Sequence, residues 1–489
     1  VTPPSAERLH VAAASRVGAG TAITSLAWIA ARALALVTLI LLARTLPADD
    51  LGALLAAIAA GLLGATLGTG GLPDATARSA AASADGEGFG RGDLTGAMLR
   101  FTATLPAVFV LLVLISDGPG GFDWGLLVAS VVLAVTQGGA SILGAVFRAR
   151  GQAGRFALVT GLVVAIGRAI VAGIAFGLDA GADFVLWSFV ALNVGLIVAT
   201  WGPAVRGLPA TRAHAHGTGA LQIGGAVWAL LAHLDIVVVG VVIGADAAGI
   251  YGATLRLAEF SYQFVIAVSV LYLPEAVKLA AAGQAEALVA LYRTSSRWSA
   301  LVSLLLAGGG FVAAPWLAEL LFPDDAALAT DVMRILFVAY GLYGALGLGY
   351  LTSVAVGSYG EISRVALVAL PAIVVATVVA ADAWGLEGAA WATAGGYIVL
   401  NLWWLWSTAR TLGATPFDGR YLRGVVACAL SVAAAALVAS LLGDAPALVA
   451  LVAIGAAATL TWACLAVLIG AVTPGELRGL RRLARMPAR

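Results

Sequence analysis

Apolar residues run along this chain in long blocks, and polar residues fall between the blocks. A helix that crosses a bilayer needs about 20 mostly apolar residues. That ruler divides the chain into fourteen expected spans, at 21–46, 51–72, 94–116, 124–147, 156–178, 184–205, 220–244, 249–277, 295–322, 331–356, 362–381, 387–409, 421–442 and 446–472. The segment 275–297 mixes apolar and charged residues, so the edges of the eighth and ninth spans are the least sharply drawn. The first block is too long for a signal-peptide core and reads as a retained span.

Composition agrees. The chain is 61% hydrophobic and 11% charged, where ordinary soluble domains carry about 25% charged residues. Lipid can solvate such a surface, provided that every backbone polar group is satisfied within its own helix. The expected fold class is an all-α polytopic membrane protein. There is no Walker A loop, so no ATPase is expected. The longest loop, near 73–93, is a turn containing Gly, Ser and Asp, and no outer loop could house a catalytic domain. That argues against an enzyme such as a polymerase, ligase or lipid-linked glycosyltransferase. Cys428 and Cys464 lie in apolar stretches without a CxxC or Cys/His cluster, and read as inert thiols rather than a disulfide or metal site. No cofactor and no nucleic-acid partner are expected.

The charges set the orientation. With the N-terminus in the cytoplasm, all of the 27 Lys and Arg residues except Arg32, Arg44, Arg168, Arg256 and Arg334 fall in cytoplasmic segments. The outer segments carry acids instead, among them Asp49, Asp50, Asp117, Asp179, Asp246, Asp324, Asp382 and Asp444. The positive-inside bias therefore predicts an even number of spans with both termini inside. One missed span would invert the pattern downstream.

The chain also repeats itself at a period of roughly 200 residues. LPADDLG at 46–52 matches IGADAAG at 243–249, and Gly151-Gln-Ala-Gly154 matches Gly357-Ser-Tyr-Gly360. Asp183, Trp187 and Arg206 match Glu387, Trp391 and Arg410 at one offset. The order and sidedness of these matches predict two pseudo-symmetric six-helix bundles. Six is even, so they share one orientation about an axis along the membrane normal. The expected domains are an N-terminal bundle over 21–206, a C-terminal bundle over 219–411, two further helices over 420–472, and a cytoplasmic tail over 474–489. The segment 207–219 reads as the linker. In the tail, Leu477, Leu480 and Leu483 recur at helical spacing among five arginines, the pattern of an amphipathic helix on anionic lipid.

Three arginines break the sorting. Arg32 and Arg168 lie near the middle of spans one and five, and Arg256 lies about two turns into span eight. A guanidinium near the bilayer centre costs about 2.5–3.5 kcal/mol, so such residues are rarely idle. One reading is a cationic cavity for an anionic group, which suits the planar, permanently charged fork of arginine. The other is an internal salt bridge or snorkelling. Arg256 has Glu259 one turn away and Asp235 at like depth on the preceding span. These acids are either structural partners of Arg256, carboxylates that an anionic substrate displaces, or, with His233, sites for a coupling H⁺ or Na⁺. The intramembrane amides Gln137, Asn193, Gln222, Gln263 and Asn401 read as interhelical hydrogen-bonding groups, with sugar contacts as the alternative. Small residues such as Gly341, Gly344 and Gly347 let helices approach and slide.

LLARTLPADDLGALLAAIAAGLLGATLGTGGLPDATAR, LDIVVVGVVIGADAAGIYGATLRLAEF and the following LYLPEAVKL carry a resemblance. GQAGRFALV and LTSVAVGSYGEISRVAL agree with it, over about 20 to 470. The chain resembles the multidrug/oligosaccharidyl-lipid/polysaccharide (MOP) exporter superfamily, and within it the polysaccharide (Wzx-like, O-antigen type) flippases. The resemblance implies a MATE-like V of two bundles with alternating access. It implies a bacterial plasma-membrane flippase that moves a polyprenyl-(pyro)phosphate-linked oligosaccharide from the inner to the outer leaflet. Arginines on the first and eighth helices of related lipid II flippases are thought to meet the pyrophosphate, a role that passes here to Arg32 and Arg256, with Arg168 as a third. A monomer is expected, with contact to the glycan polymerase machinery. The alternatives are a cation-coupled drug antiporter of the MATE type and a non-transporting scaffold for glycan assembly.

Overall fold

A computed structural model describes residues 27–69, 91–103, 124–149, 152, 157–206, 233–473 and 476, excepting positions 28, 29, 32, 36, 40, 43, 44, 93, 97, 100, 234 and 444. Every regular element among these residues is helical. The helices are α1 (Ala48–Thr69), α2 (Trp124–Ala149), α3 (Val164–Leu178), α4 (Ala182–Val205), α5 (Ala245–Glu259), α6 (Gln263–Ala281), α7 (Ala285–Leu321), α8 (Ala326–Leu346), α9 (Gly349–Ala355), α10 (Tyr359–Leu412), α11 (Gly419–Leu442) and α12 (Ala447–Leu468). A π-helical turn, Ala157–Val163, leads into α3. Among the described residues nine helices are long and apolar enough to cross a bilayer, or ten with the bent pair α5–α6. The expected spans at 94–116 and 220–244, the linker at 207–219 and nearly all of the tail at 474–489 lie wholly or largely outside the described residues, as does half of the span at 21–46.

Local chemistry explains the breaks. The 54 residues of α10 cover two expected spans, and Gly385 (φ 60°, ψ −141°) separates the two limbs. That conformation is essentially reserved for glycine. A 3-10 turn, Phe260–Tyr262, divides α5 from α6, and a bend of 40° follows between Ser269 and Tyr272. Pro274 lies just beyond; it has no N–H for the carbonyl four residues back, and its ring crowds that carbonyl.

The chain forms two compact units. The first comprises Ala27–Ala253 and Ser358–Gly396. In it α2 packs against α1 and α4, and α4 against α3. Leu54, Leu133, Val185 and Leu186 are fully buried at its centre. Gly52 and Gly249, the last residues of the two matched heptapeptides, meet: a Cβ at Gly249 would lie 3.6 Å from the Gly52 Cα.

The second unit comprises Thr254–Gly357 and the chain from Tyr397 onward. Its spine is α7, which packs against α6, α8, α11 and α12. The crossing of α7 and α8 is close because it is lined with small residues. A Cβ at Gly341 would lie 2.6 Å from the Ala307 Cβ, and one at Gly344 would collide with the Ser303 side chain. Without a hydrophobic drive between helices in lipid, such close approach is the main source of association. Ala313, Ala435, Ala450 and Ile454 continue the pattern between α7, α11 and α12. Beyond α12, Thr473 and Glu476 form a capping box, with the Thr473 N–H donating to Glu476 Oε2 (2.8 Å) and the Glu476 N–H to Thr473 Oγ1 (3.3 Å). The buried Arg297 of α7 pairs with the other oxygen of Glu476.

Candidate functional site

Among the described residues, each unit holds a carboxylate buried in helices that the bilayer would enclose. In the first unit this is Asp235, 3% exposed. Its Oδ1 accepts from the Ile236 N–H at 2.9 Å. Its Oδ2 accepts from the Tyr251 hydroxyl at 3.2 Å and from the Thr393 hydroxyl at 3.2 Å. Those two hydroxyls are themselves 3.1 Å apart. A buried carboxylate is tolerable only when its lone pairs are met, and the Ile236 N–H and the two hydroxyls are among the donors that meet them. The hydroxyls come from α5 and from the second limb of α10.

The second unit holds the Arg256–Glu259 pair. Arg256 and Glu259 occupy the last turn of α5, three residues apart, so their side chains share one face. Arg256 Nη1 donates to Glu259 Oε2 at 2.9 Å and to Oε1 at 3.1 Å. The arginine side chain is 28% exposed and the glutamate 11%. The Tyr340 hydroxyl of α8 approaches Glu259 Oε1 at 3.5 Å and lies 3.1 Å from the Tyr397 hydroxyl of α10. Tyr262, in the 3-10 turn, stacks on Tyr343 with centroids 4.2 Å apart and donates to its hydroxyl at 2.9 Å. Tyr343 stacks in turn on Tyr397 at 5.0 Å. The turn at Phe260–Tyr262 is what aims Tyr262 into this stack, and a 3-10 turn inside a helix often marks a hinge. An ion pair backed by hydroxyls and rings, with its cation part-exposed, can exchange the carboxylate for another anion.

Of the residues expected from sequence, the structure thus joins Arg256 to Glu259 and places Asp235 in its own hydroxyl cage. Arg168, on α3, lies half-buried with its guanidinium carbon 5.1 Å from the centre of the Phe189 ring, a cation–π arrangement. His233 is half-buried. Arg32 and Gln222 lie outside the described residues. Of the amides, Asn193 of α4 donates to Gln137 of α2 at 3.1 Å, an interhelical bond, whereas Asn401 donates to the Tyr397 carbonyl of its own helix at 2.8 Å and Gln263 to the Glu259 carbonyl four residues back at 3.2 Å. Sequence reasoning missed the hydroxyl partners, Tyr251 and Thr393 in one unit and Tyr262, Tyr340, Tyr343 and Tyr397 in the other. Their signal was position. Tyrosine in a membrane helix favours the interface, whereas these lie inside the apolar runs.

Taken together, the helices and their buried polar groups define a multi-pass membrane protein. No protein-family model matches the chain, and no curated protein sequence matches it significantly. Solved structures match over most of its length. The lipid II flippase MurJ, in an inward closed conformation, superimposes with a TM-score of 0.60 at 13% identity, over 94% of this chain and 99% of that one. The MATE multidrug transporter DinF-BH gives a TM-score of 0.63 at 15% identity, over 82% and 97%. The Vibrio cholerae MATE transporter VcmN gives 0.61 at 16% identity, over 85% and 100%. The chain shares the fold of these structures.

Proposed function

We propose that the chain is a flippase for a polyprenyl-(pyro)phosphate-linked oligosaccharide, working in a bacterial inner membrane with both termini in the cytoplasm. The observation that carries this reading is the Arg256–Glu259 pair: a part-exposed guanidinium inside a transmembrane segment, whose carboxylate partner an anionic head group can displace. Arg32 and Arg168 are the further cations for the same group. The longer overlap with MurJ than with the MATE transporters supports lipid-linked cargo. The basic tail rests on anionic lipid, and the protein works as a monomer beside the glycan polymerase machinery. The test is reconstitution in liposomes with a labelled polyprenyl-linked glycan. Arg256→Ala and Arg32→Ala lose translocation while folded yield is kept. Intact translocation in both, singly and together, would remove the cationic-site mechanism.

A second reading is a cation-coupled drug antiporter, and the Asp235 cage favours it. The Tyr251 and Thr393 hydroxyls can donate to the carboxylate or accept from the acid, so the cage could take up a coupling proton. Dye efflux driven by an H⁺ or Na⁺ gradient without lipid cargo, lost in Asp235→Asn, would decide for it.

A further inference from the structure

The second limb of α10 uses its two faces differently. One face is held against α9. Trp404 packs on Gly349, where an added Cβ would lie 3.0 Å from the Trp404 Cβ, and it meets the Tyr350 ring edge-on at 5.5 Å. The Thr408 hydroxyl donates to the Gly349 carbonyl at 3.1 Å. The opposite face is exposed at Val399, Leu402, Trp406 and Arg410. Their spacing of three, four and four residues places them in a single row. The row rises about 16 Å. A hydrocarbon core is about 30 Å thick, so the row is as long as one leaflet is deep.

The charged end of the row is positioned by its neighbours. Arg410 lies in the last turn of α10, where the helix dipole favours a cation, and Gly413 (φ 65°) follows the helix end. The Arg410 guanidinium carbon sits over the Trp406 ring, 4.4 Å from its centre. Trp406 is half exposed, and Trp403 braces it edge-on with centroids 6.5 Å apart. Contact with a ring face uses none of the guanidinium's N–H donors. Other basic residues of this unit direct theirs into the protein. Arg293 Nε donates to the Thr415 carbonyl at 3.0 Å, and Arg423 donates to the Gly419 and Ile469 carbonyls at 3.0 and 3.2 Å. Arg410 instead presents a planar fork, steadied by an indole, at the head of an exposed apolar row.

We propose that this face of α10 binds an anionic phospholipid of the surrounding membrane, with its phosphate on the Arg410 guanidinium and an acyl chain along Trp406, Leu402 and Val399. A phosphate matches the guanidinium fork in charge and in geometry. An indole is favoured at the headgroup level, and the apolar residues below it extend as far as an acyl chain does. The site is separate from the basic tail, whose arginines all follow Glu476. That the lipid belongs to the cytoplasmic leaflet rests on the orientation proposed above. The binding does not, and it is independent of what the protein transports.

The experiment is native mass spectrometry of the full chain in neutral detergent, titrated with phosphatidylglycerol or with phosphatidylcholine as the zwitterionic control. To silence the tail, the parent protein carries glutamine in place of Arg478, Arg481, Arg482, Arg485 and Arg489. This parent should retain phosphatidylglycerol in preference to phosphatidylcholine. Arg410→Gln should weaken the tightest phosphatidylglycerol about fivefold and leave phosphatidylcholine unchanged. Trp406→Leu keeps the face apolar but frees the guanidinium, and should weaken phosphatidylglycerol about threefold. Both positions are exposed, so either variant carries the test if the other fails to fold. The proposal fails if phosphatidylglycerol is held no better than phosphatidylcholine, or if both variants hold it as the parent does. It fails equally if the spectra show a dimer that Leu402→Gln disrupts, which would give the face to a second copy of the chain. Displacement of the phosphatidylglycerol by an equimolar polyprenyl phosphate would give the face to cargo lipid and also overturn the proposal.

Discussion

Asp235 and Glu259 are both carboxylates buried in membrane helices, but their surroundings differ in kind. Asp235 accepts from two hydroxyls that are themselves buried, Tyr251 at 0% exposure and Thr393 at 3%. Moving any one of them strands the other polar groups. Glu259 faces a guanidinium whose side chain is more than a quarter exposed, and its hydroxyl contact, from Tyr340, is long at 3.5 Å. Buried hydroxyl donors from two helices hold a carboxylate in place. A part-open ion pair leaves it exchangeable, because a new anion can take the place of the carboxylate beside the guanidinium.

Five substitutions test that contrast. The largest effect is expected for Arg256→Ala, which should lower glycan translocation about 100-fold or more by removing a preorganised charge from the anion. Arg168→Ala, at a cation–π contact, should lower it far less, and equal losses would erase the distinction. Asp235→Ala leaves two buried hydroxyls without their acceptor and should destabilise the protein by about 2–4 kcal/mol, read as a lowered unfolding midpoint in lipid or detergent. Tyr251→Phe should cost about 1 kcal/mol in the same assay. Tyr340→Phe removes a longer bond and should cost about 0.5 kcal/mol. If Tyr340→Phe proves as damaging as Tyr251→Phe, Glu259 is held as rigidly as Asp235.

Much of the helical frame was readable from hydropathy. The expected spans at 124–147, 184–205 and 421–442 lie within two residues of Trp124–Ala149, Ala182–Val205 and Gly419–Leu442. The gap left between 381 and 387 contains Gly385. The start of α7 was misplaced because hydropathy measures contact with lipid, not helicity. The helix begins at Ala285 and runs ten residues beyond the expected edge, through a stretch carrying Glu286 and Arg293. The turn inside 249–277 was invisible because Phe260, Ser261 and Tyr262 continue the apolar pattern without a glycine or proline. For the site, the i,i+3 spacing of Arg256 and Glu259 was enough to find the pair. The tyrosines around it were not, because Tyr262, the Tyr340/Tyr343 pair and Tyr397 are far apart in sequence and meet only through packing. The glycines at 341 and 344 were legible as a close helix approach, but their partners Ala307 and Ser303 were not.

The contact between Arg297 and Glu476 bears on how the basic tail can be studied. The Arg297 side chain is 5% exposed, and its carboxylate partner is the fourth residue of the capping box that begins at Thr473. A protein shortened at residue 474 would lose the five tail arginines and also strip the counter-ion from a guanidinium inside α7. That second loss is worth about 3 kcal/mol, the low end for a broken buried pair because Glu476 is a quarter exposed. The result would be a poorly behaved protein, easily mistaken for one that cannot hold anionic lipid. A cut placed after Glu476 separates the two effects, and so does exchanging the five arginines for glutamine in the full chain.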